Sequence, residues 1–245
     1  MRQNIGVQMY TLRHIINQDI DAYFNIIKKI GYSHIELAGF YDLKPETLKN
    51  KVEQASLQVS SCHIGLSDLE TRYQTMKDYL DQLDVQHVVI PYADIKDSLS
   101  YHKLLPHIKA ITEQLNADGF TVHYHHHAHE FQTIDGLTVL EHLLRDVPTL
   151  YLELDVYWAK VAGIDLHHWI EAYSNRIILL HAKDYQLDQQ GHPYFESVGK
   201  GMIDFKKIIS QLGNLQCIIV ENDQPKNDPI INIKDSIRYL KKEII

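Results

Sequence analysis

Ionisable side chains close three short apolar runs of this sequence, and their types suit a metal ion. Asp155, His181 and Glu221 end the segments Leu-Glu-Leu-Asp, Ile-Leu-Leu-His and Ile-Ile-Val-Glu. One imidazole with two carboxylates is a donor set for manganese, magnesium, cobalt or zinc, and the lack of thiolates disfavours a structural zinc site. Each residue alone is as readily a hydrogen-bonded residue at a strand end. The three together predict a metal centre.

The densest feature of the sequence is a histidine-rich stretch, in which five of the chain's 16 histidines lie within residues 123–129. Alternation along an extended strand places His123, His125 and His127 on one face. We expect His125 and His127 to face the functional centre, whereas His123, His126 and His129 are expected to be structural. The alternative is a histidine-rich strand whose imidazoles only donate to carbonyls or bind metal adventitiously.

Short apolar runs alternate with longer amphipathic segments, which is the pattern of strand–helix units that build a parallel sheet. Eight such units predict an α/β protein with a single (β/α)8 TIM barrel, in which chemistry collects at the carboxyl ends of the strands. The predicted strands cover residues 4–9, 33–38, 58–64, 86–90, 121–127, 150–155, 177–181 and 217–221. Glycines at 31, 119 and 213 mark helix ends before three of them.

Length and composition allow one large core, and we expect residues 1–245 to form a single catalytic domain. The formal net charge of −8 argues against a nucleic-acid partner. The sequence has neither a signal core nor an apolar run long enough for a membrane span, so we expect a cytoplasmic protein. Cys62 and Cys217 lack neighbours at metal-binding or redox spacing and are expected to be small strand residues.

Further polar residues are expected at the mouth of the barrel. His63 and Lys183 are candidates to hold substrate hydroxyls or developing negative charge, or else to form a salt bridge at the rim. Glu36 and Arg13 would orient substrate or pair with each other, and Trp158 would wall the pocket. The segment Val198-Gly199-Lys200-Gly201 would cradle an anion on its amides, although two glycines around a lysine are a poor phosphate signal.

An ordered series of motifs resembles the sugar phosphate isomerase/epimerase family of xylose isomerase-like barrels, over nearly the whole chain. The matching pieces are Gly6-Val7-Gln8-Met9-Tyr10-Thr11-Leu12-Arg13, Gly31-Tyr32, Ile35-Glu36-Leu37, Tyr124-His125-His126-His127, Glu130-Phe131, Asp155-Val156-Tyr157-Trp158-Ala159, Ala162-Gly163, His181-Ala182-Lys183-Asp184, Val198-Gly199-Lys200-Gly201, Asp204-Phe205 and Val220-Glu221.

The resemblance implies an enzyme that uses one divalent ion, manganese first, to isomerise or epimerise a small sugar, keto-sugar or sugar phosphate through an enediolate. Relatives hold the ion with a carboxylate from strand five, an Asp, a His and a final Glu, and Asp155, His181 and Glu221 match the last three. The first ligand is either His125, which aligns with that carboxylate, or Glu130, the nearest carboxylate. Glu221 would also act as acid/base on one side of the sugar, with His127 or Glu130 on the other.

Three other functions remain open from the sequence. A dehydratase of a keto-inositol is one, because related inosose dehydratases carry a similar three-histidine run. A repair endonuclease of the related barrels would need more ligands and a basic groove, so the acidic balance weighs against it. A non-catalytic sugar-binding barrel is the third. A homo-oligomer is a family-level expectation, and the substrate is expected to be a small carbohydrate.

Overall fold

Eight parallel strands form a closed barrel in the computed structural model, which describes residues 3–226 and 228–244. Each strand pairs with its neighbours in the sequence, and the first closes on the eighth. The strands are Asn4–Gln8, His34–Ala38, Gln58–His63, His87–Ile90, Thr121–His125, Tyr151–Asp155, Ile177–Ala182 and Cys217–Val220. The (β/α)8 barrel predicted from the sequence is confirmed.

Helices separate the strands and surround the barrel. The described residues contain the α-helices Ile20–Ile30, Pro45–Gln54, Leu66–Thr71, Tyr73–Gln82, Ser98–Ala117, Val139–Asp146, Val156–Val161, Leu166–Tyr173, Phe205–Ser210 and Pro229–Glu243. Local chemistry sets their ends: Thr138 and Glu141 form a capping box, and Gly31 ends the first helix at a φ of 115°. None of the described helices is long and apolar enough to cross a membrane.

Within the part of the chain that the structure describes, two short hairpins and four 3-10 turns complete the fold. The hairpins pair Thr133–Ile134 with Leu137–Thr138 and Asp184–Leu187 with Pro193–Glu196. The turns are Met9–Leu12, Ile16–Gln18, His129–Phe131 and Ser174–Arg176. The fifth strand therefore ends at His125, two residues before the predicted end, and the chain turns away through residues 126–131.

The apolar core has two parts. A large cluster lies between strands and helices, and a small one joins Val89 of the fourth strand to residues of the seventh and eighth. Because these strands lie on different sides of the barrel, the small cluster fills its interior. Cys62 and Cys217 are buried strand residues with free thiols, as expected.

Register shifts occur at two glutamates of the barrel. The pairing of the second and third strands shifts between Ile35 and Glu36, and that of the sixth and seventh shifts between Leu152 and Glu153. Irregularities of this kind redirect side chains next to functional sites. Both carboxylates are fully buried, so their placement inside the barrel determines what surrounds them.

Candidate metal centre

The carboxyl ends of four neighbouring strands bring together one ligand-type atom each from His125, Asp155, His181 and Glu221. These atoms all lie within 4.8 Å of one another. His181 Nδ1 is 2.8 Å from Glu221 Oε2, while His125 Nε2 and His181 Nδ1 are each 3.9 Å from Asp155 Oδ2. All four side chains are buried. The arrangement has the donors and spacing of a cation site.

Unpartnered polar atoms support the fit of an ion in this group. Asp155 Oδ2 is buried and makes no hydrogen bond within the described residues, with the Lys183 ammonium 3.1 Å away, while its other oxygen accepts from the amide of Trp158. A buried carboxylate oxygen without a partner costs free energy unless a cation compensates it. Two imidazoles and two carboxylates are a mixed nitrogen and oxygen set, which suits manganese, cobalt or zinc better than calcium.

Lys183 supplies positive charge to the same group from the end of the seventh strand. Its Nζ lies 2.8 Å from Glu221 Oε2 and 3.1 Å from both Asp155 Oδ2 and Asp223 Oδ2. Burial opposes ionisation of Glu221, but Lys183 and His181 outweigh it and hold the pKa of this carboxyl well below its usual range. Lys183 was expected to hold a substrate oxygen or to form a salt bridge at the rim, whereas the structure buries its ammonium among three carboxylates.

A second layer of charged groups lies behind the first, around Glu153. Its Oε2 is 2.8 Å from His63 Nε2, 3.1 Å from His181 Nε2 and 3.3 Å from His125 Nδ1. His125 and His181 thus turn one nitrogen toward Asp155 and Glu221 and the other toward Glu153. Carboxylates in this position fix the tautomer and orientation of ligand imidazoles.

Glu36 completes this inner layer. Its Oε2 lies 2.6 Å from His181 Nε2 and accepts from Gln8 at 2.7 Å, while its Oε1 accepts from Ser61. Burial would raise the pKa of Glu36, but His63 and His181 lower it well below the ordinary value. Glu36 was expected to contact substrate or Arg13; instead its carboxylate is occupied within the barrel.

The pKa values of the inner layer reflect two buried carboxylates facing shared imidazoles. Burial and the neighbouring Glu36 raise the pKa of Glu153 to about 7. Although burial lowers the pKa of His63, Glu36 and Glu153 raise it to about 10. Unpartnered buried oxygens remain in both layers, Glu153 Oε1 in the inner layer and Asp155 Oδ2 in the outer group of four. The outer group includes Glu221, which lines a cavity together with His125.

The structure separates Glu130 from the group of four. Its Oε1 accepts from Tyr124 and its Oε2 from the amide of His127, both at 2.8 Å. Tyr124 is on the outward face of the fifth strand, so Glu130 lies outside the barrel wall. Of the two residues left open for the strand-five ligand, His125 lies with Asp155, His181 and Glu221, and Glu130 lies with His127 and His129.

His126 has a structural contact on the outer side of the barrel. Its Nε2 accepts from the amide of Asp155 at 3.0 Å, which leaves Nδ1 to donate to the carbonyl of His127 at 3.2 Å. This pairing fixes the position of Asp155 relative to the fifth strand. Burial lowers the pKa of His126 to about 3, so the ring is neutral.

A cavity of about 690 Å³ reaches two of the four ligand-type residues. His125 and Glu221 lie at its floor, with His63, His127 and Lys183 around them. Its walls are largely aromatic and come from Tyr10, Tyr92, Trp158 and Phe195. The sequence predicted Trp158 in this role. Aromatic faces pack against the apolar side of sugar rings.

The glycine-rich segment does not offer its amides to a ligand. Gly199 and Gly201 both donate to Asp184 Oδ2 at 2.9 Å, and Ile203 donates to Asp184 Oδ1 at 3.2 Å. A Cβ at Gly201 would meet this carboxylate, so glycine is required there. The anion that the sequence suggested is a side chain of the protein itself.

Arg13 also differs from the expectation that it would pair with Glu36. Its guanidinium donates to the carbonyls of Tyr10 and Asp223, at 2.9 and 2.6 Å, and lies over the Tyr10 ring. These contacts tie the loop after the first strand to the loop after the eighth. Arg13 still lines the cavity.

Sequence reasoning missed Glu153 and Asp223. Glu153 had a signal, because it stands two residues before Asp155 in an apolar strand and so shares its face. Asp223 follows Glu221 at the same spacing but lies past the strand, where alternation no longer applies. Burial and the neighbouring Glu221 raise its pKa to about 6.

Comparison with known proteins places these residues in a recognised framework. The family model described as xylose isomerase-like TIM barrel matches residues 24–243. Among curated proteins, no sequence matches the chain at a significant level.

Solved structures with the same fold carry several activities in their names. A sugar phosphate isomerase/epimerase from Parabacteroides distasonis is 24% identical, with a TM-score of 0.82 over 99% of this chain and 94% of that one. A probable 3-DHS dehydratase from Bacillus anthracis is 14% identical, with a TM-score of 0.78 over 98% and 100%. A family 2 AP endonuclease from Brucella melitensis is 16% identical, with a TM-score of 0.70 over 97% and 99%. At these identities the likeness establishes the fold.

Proposed function

Because the chain belongs to the xylose isomerase-like TIM barrel family, we propose that it is a divalent-metal-dependent isomerase or epimerase of a small keto-sugar. The observation that carries this proposal is the convergence of His125, Asp155, His181 and Glu221, of which His125 and Glu221 line an aromatic-walled cavity. Manganese is the ion we expect first. When bound, the ion would polarise the substrate carbonyl and balance negative charge on its oxygens.

The residues around the cavity can move a proton to and from a carbon beside a carbonyl. Glu221, with its carboxylate held ionised by Lys183 and His181, takes the proton from carbon, and the electron pair of that bond forms the double bond of the enediolate. His127, which also lines the cavity, lies on another side. Burial and the nearby Lys183 lower its pKa to about 4, so its ring is neutral and returns a proton to carbon after taking one up from water. Return to the same carbon with inverted configuration is epimerisation, and return to the neighbouring carbon is isomerisation.

Lys183 and His63 hold the substrate oxygens in this scheme. The Lys183 ammonium is fixed by Asp155, Glu221 and Asp223, so it reaches the cavity without reorganising when charge develops. The aromatic walls exclude water from the enediolate. Glu130 supports His127 through the backbone hydrogen bond and does not contact substrate.

The test combines elemental analysis with isotope exchange. Wild type, Glu221→Gln and the exposed control Glu171→Gln are analysed for bound metal. All three are then incubated in deuterium oxide with manganese and a panel of ketoses and keto-inositols. We expect about one ion per chain in wild type and control, with deuterium entering beside the carbonyl, and loss of both in Glu221→Gln. Absence of metal and exchange from wild type would leave a sugar-binding barrel as the better account.

A dehydratase of a keto-inositol is the second candidate, because the aromatic walls that pack against a sugar ring pack equally well against a cyclitol ring. Dehydration uses the same first step, after which a hydroxyl leaves as water with a proton from the second acid. The same panel separates the reactions, because dehydration lowers the product mass by one water and isomerisation preserves it. A product lacking that water would replace the first proposal with the second.

A further inference from the structure

A second group of metal-ligand residues lies directly after the fifth strand, outside the group of four. His127, His129 and Glu130 each offer a ligand-type atom, and these atoms lie within 4.8 Å of one another. His129 Nδ1 is 3.2 Å from Glu130 Oε2. The ring centroids of His127 and His125 are 5.1 Å apart, so the two groups are neighbours.

The turn at the end of the strand presents these residues to one point. The 3-10 helix His129–Phe131 folds the chain back beneath His127. As a result, the His127 and His129 rings are nearly parallel, with planes 26° apart and centroids 6.0 Å apart. Because the three ligands come from four consecutive residues, binding an ion would require little additional ordering of the backbone.

Two polar groups of this cluster are incompletely compensated. His127 Nδ1 is buried and has no hydrogen-bond partner. The Glu130 carboxylate is fully buried, yet its two hydrogen-bond donors, the Tyr124 hydroxyl and the His127 amide, are neutral. A buried carboxylate needs a cation nearby, and within the described residues only His129 is close enough to supply one.

We propose that His127, His129 and Glu130 form a second divalent-cation site of zinc type at the rim of the cavity. Two imidazoles and a carboxylate with one open position are a donor set of catalytic and exchangeable zinc sites, whereas magnesium and calcium prefer oxygen ligands. The side chain of His129 is 34% exposed, so water can enter and fill the fourth position.

Occupation of this site restrains His127. Its ring lies 5.3 Å from that of Trp158 and 5.9 Å from that of Tyr92, inside the cavity wall. With Nδ1 bound to an ion, the ring cannot turn or take a proton at that nitrogen. Zinc at the rim therefore inhibits proton return, a consequence that rests on the proposed function, whereas the binding of zinc does not.

The experiment counts zinc by titration against a chromophoric chelator. A double variant, Asp155→Asn with Glu221→Gln, lacks both carboxylates of the group of four, so we expect it to bind about one zinc ion per chain. Adding His129→Gln to it should abolish that ion, while adding His102→Gln, an exposed histidine on another helix, should not. A double variant without zinc, or equal loss with both histidine changes, would overturn the site.

A parallel measurement avoids dependence on the folding of the double variant. His129→Gln alone should bind one zinc ion fewer per chain than wild type, whether the wild-type count is two or one. A fall from two ions in wild type to one in His129→Gln supports both sites, and a fall from one to none supports the rim site alone. Failure of the proposed function is therefore distinguishable from failure of the rim site. Equal counts in wild type and His129→Gln, with both folded by circular dichroism, would refute the rim site.

Discussion

Glu153 is the residue whose environment most directly links the inner layer to ion binding. One of its two carboxylate oxygens, Oε2, lies within 3.3 Å of a ring nitrogen of His63, His125 and His181, and the last two are proposed ligands. A neutral amide at this position would place an NH2 group or a weaker acceptor against the imidazoles. The imidazoles would then be less firmly oriented and less basic.

Glu153→Gln is therefore expected to weaken manganese binding by about 10- to 100-fold, the range typical for partners of ligand imidazoles. Competition with a fluorescent chelator measures the dissociation constant, and circular dichroism checks the fold. Glu46→Gln, an exposed glutamate of the second helix, is the matched control. Unchanged affinity in a folded Glu153→Gln protein would show that the inner layer does not support the ion.

Single residues at strand ends were the part of the site that sequence reasoning could predict. Asp155, His181 and Glu221 close apolar runs, and their convergence follows once the strands form a parallel barrel. The choice between His125 and Glu130 could not be made, because it depends on where the fifth strand stops and which way the chain turns. That turn is held by the hydrogen bond from Tyr124 to Glu130 and by the packing of Phe131 against His126 and Trp169, contacts that a sequence pattern does not report.

At the scale of elements, the hairpin after the seventh strand forms one wall of the cavity and depends on Asp184. Its carboxylate accepts from the amides of Tyr185, Gly199, Gly201 and Ile203. These bonds join both ends of the segment that carries Phe195. No motif in the sequence distinguished this internal use of the amides from a phosphate site, because both need glycine and exposed N–H groups.

Asp184→Asn should lower the free energy of unfolding by about 3 kcal/mol, since an asparagine amide leaves buried N–H groups unpaired and opposes them with its own donors. Urea unfolding followed by fluorescence measures the change. Asp78→Asn, an exposed change on the fourth helix, should have little effect. Equal stability of the two variants would mean that the loop is held by its other contacts.

At the scale of the whole molecule, the four ligand-type residues come from four successive strands, so an ion would tie half of the barrel together. Manganese at 100 times its dissociation constant should stabilise the folded state by about 2.7 kcal/mol. Calorimetry should show a rise in Tm for wild type and none for Asp155→Asn. A manganese-induced rise of equal size in both proteins would place the ion elsewhere.

The order and number of strands were predictable because short hydrophobic runs alternate with amphipathic segments eight times along the chain. The interior of the barrel was not, since a closed sheet has an inner face whose occupants contact one another from strands far apart in sequence. His123 is such a residue: its Nε2 lies 3.1 Å from His87 Nδ1, and His87 Nε2 lies 3.1 Å from Gln216 Oε1. Because Gln216 Oε1 only accepts, His87 Nε2 carries a proton and His123 Nε2 donates to His87.

This series of hydrogen bonds leaves His123 Nδ1 unprotonated and without a hydrogen-bond partner in the barrel interior. Burial, with His87 nearby, lowers the pKa of His123 well below 6.5. Below about pH 6.5 the unfolded chain takes up a proton at this residue and the folded chain does not. The free energy of unfolding therefore decreases as the pH is lowered, by up to about 1.4 kcal/mol per pH unit.

His123→Leu removes this dependence, and the test is the difference in unfolding free energy between wild type and variant at pH 7.5, 6.5 and 5.5. That difference should be constant above pH 6.5. Below pH 6.5 the wild type should lose stability relative to the variant. Other groups, such as Glu153 with its raised pKa, give stability the opposite pH dependence. They are present in both proteins, so their contributions cancel in the difference. Leu99→Ala, an exposed control without a titratable group, should give a difference that does not change with pH. A level difference for His123→Leu as well would mean that the barrel interior admits a charged imidazole, with water or a rearranged His87 as its partner.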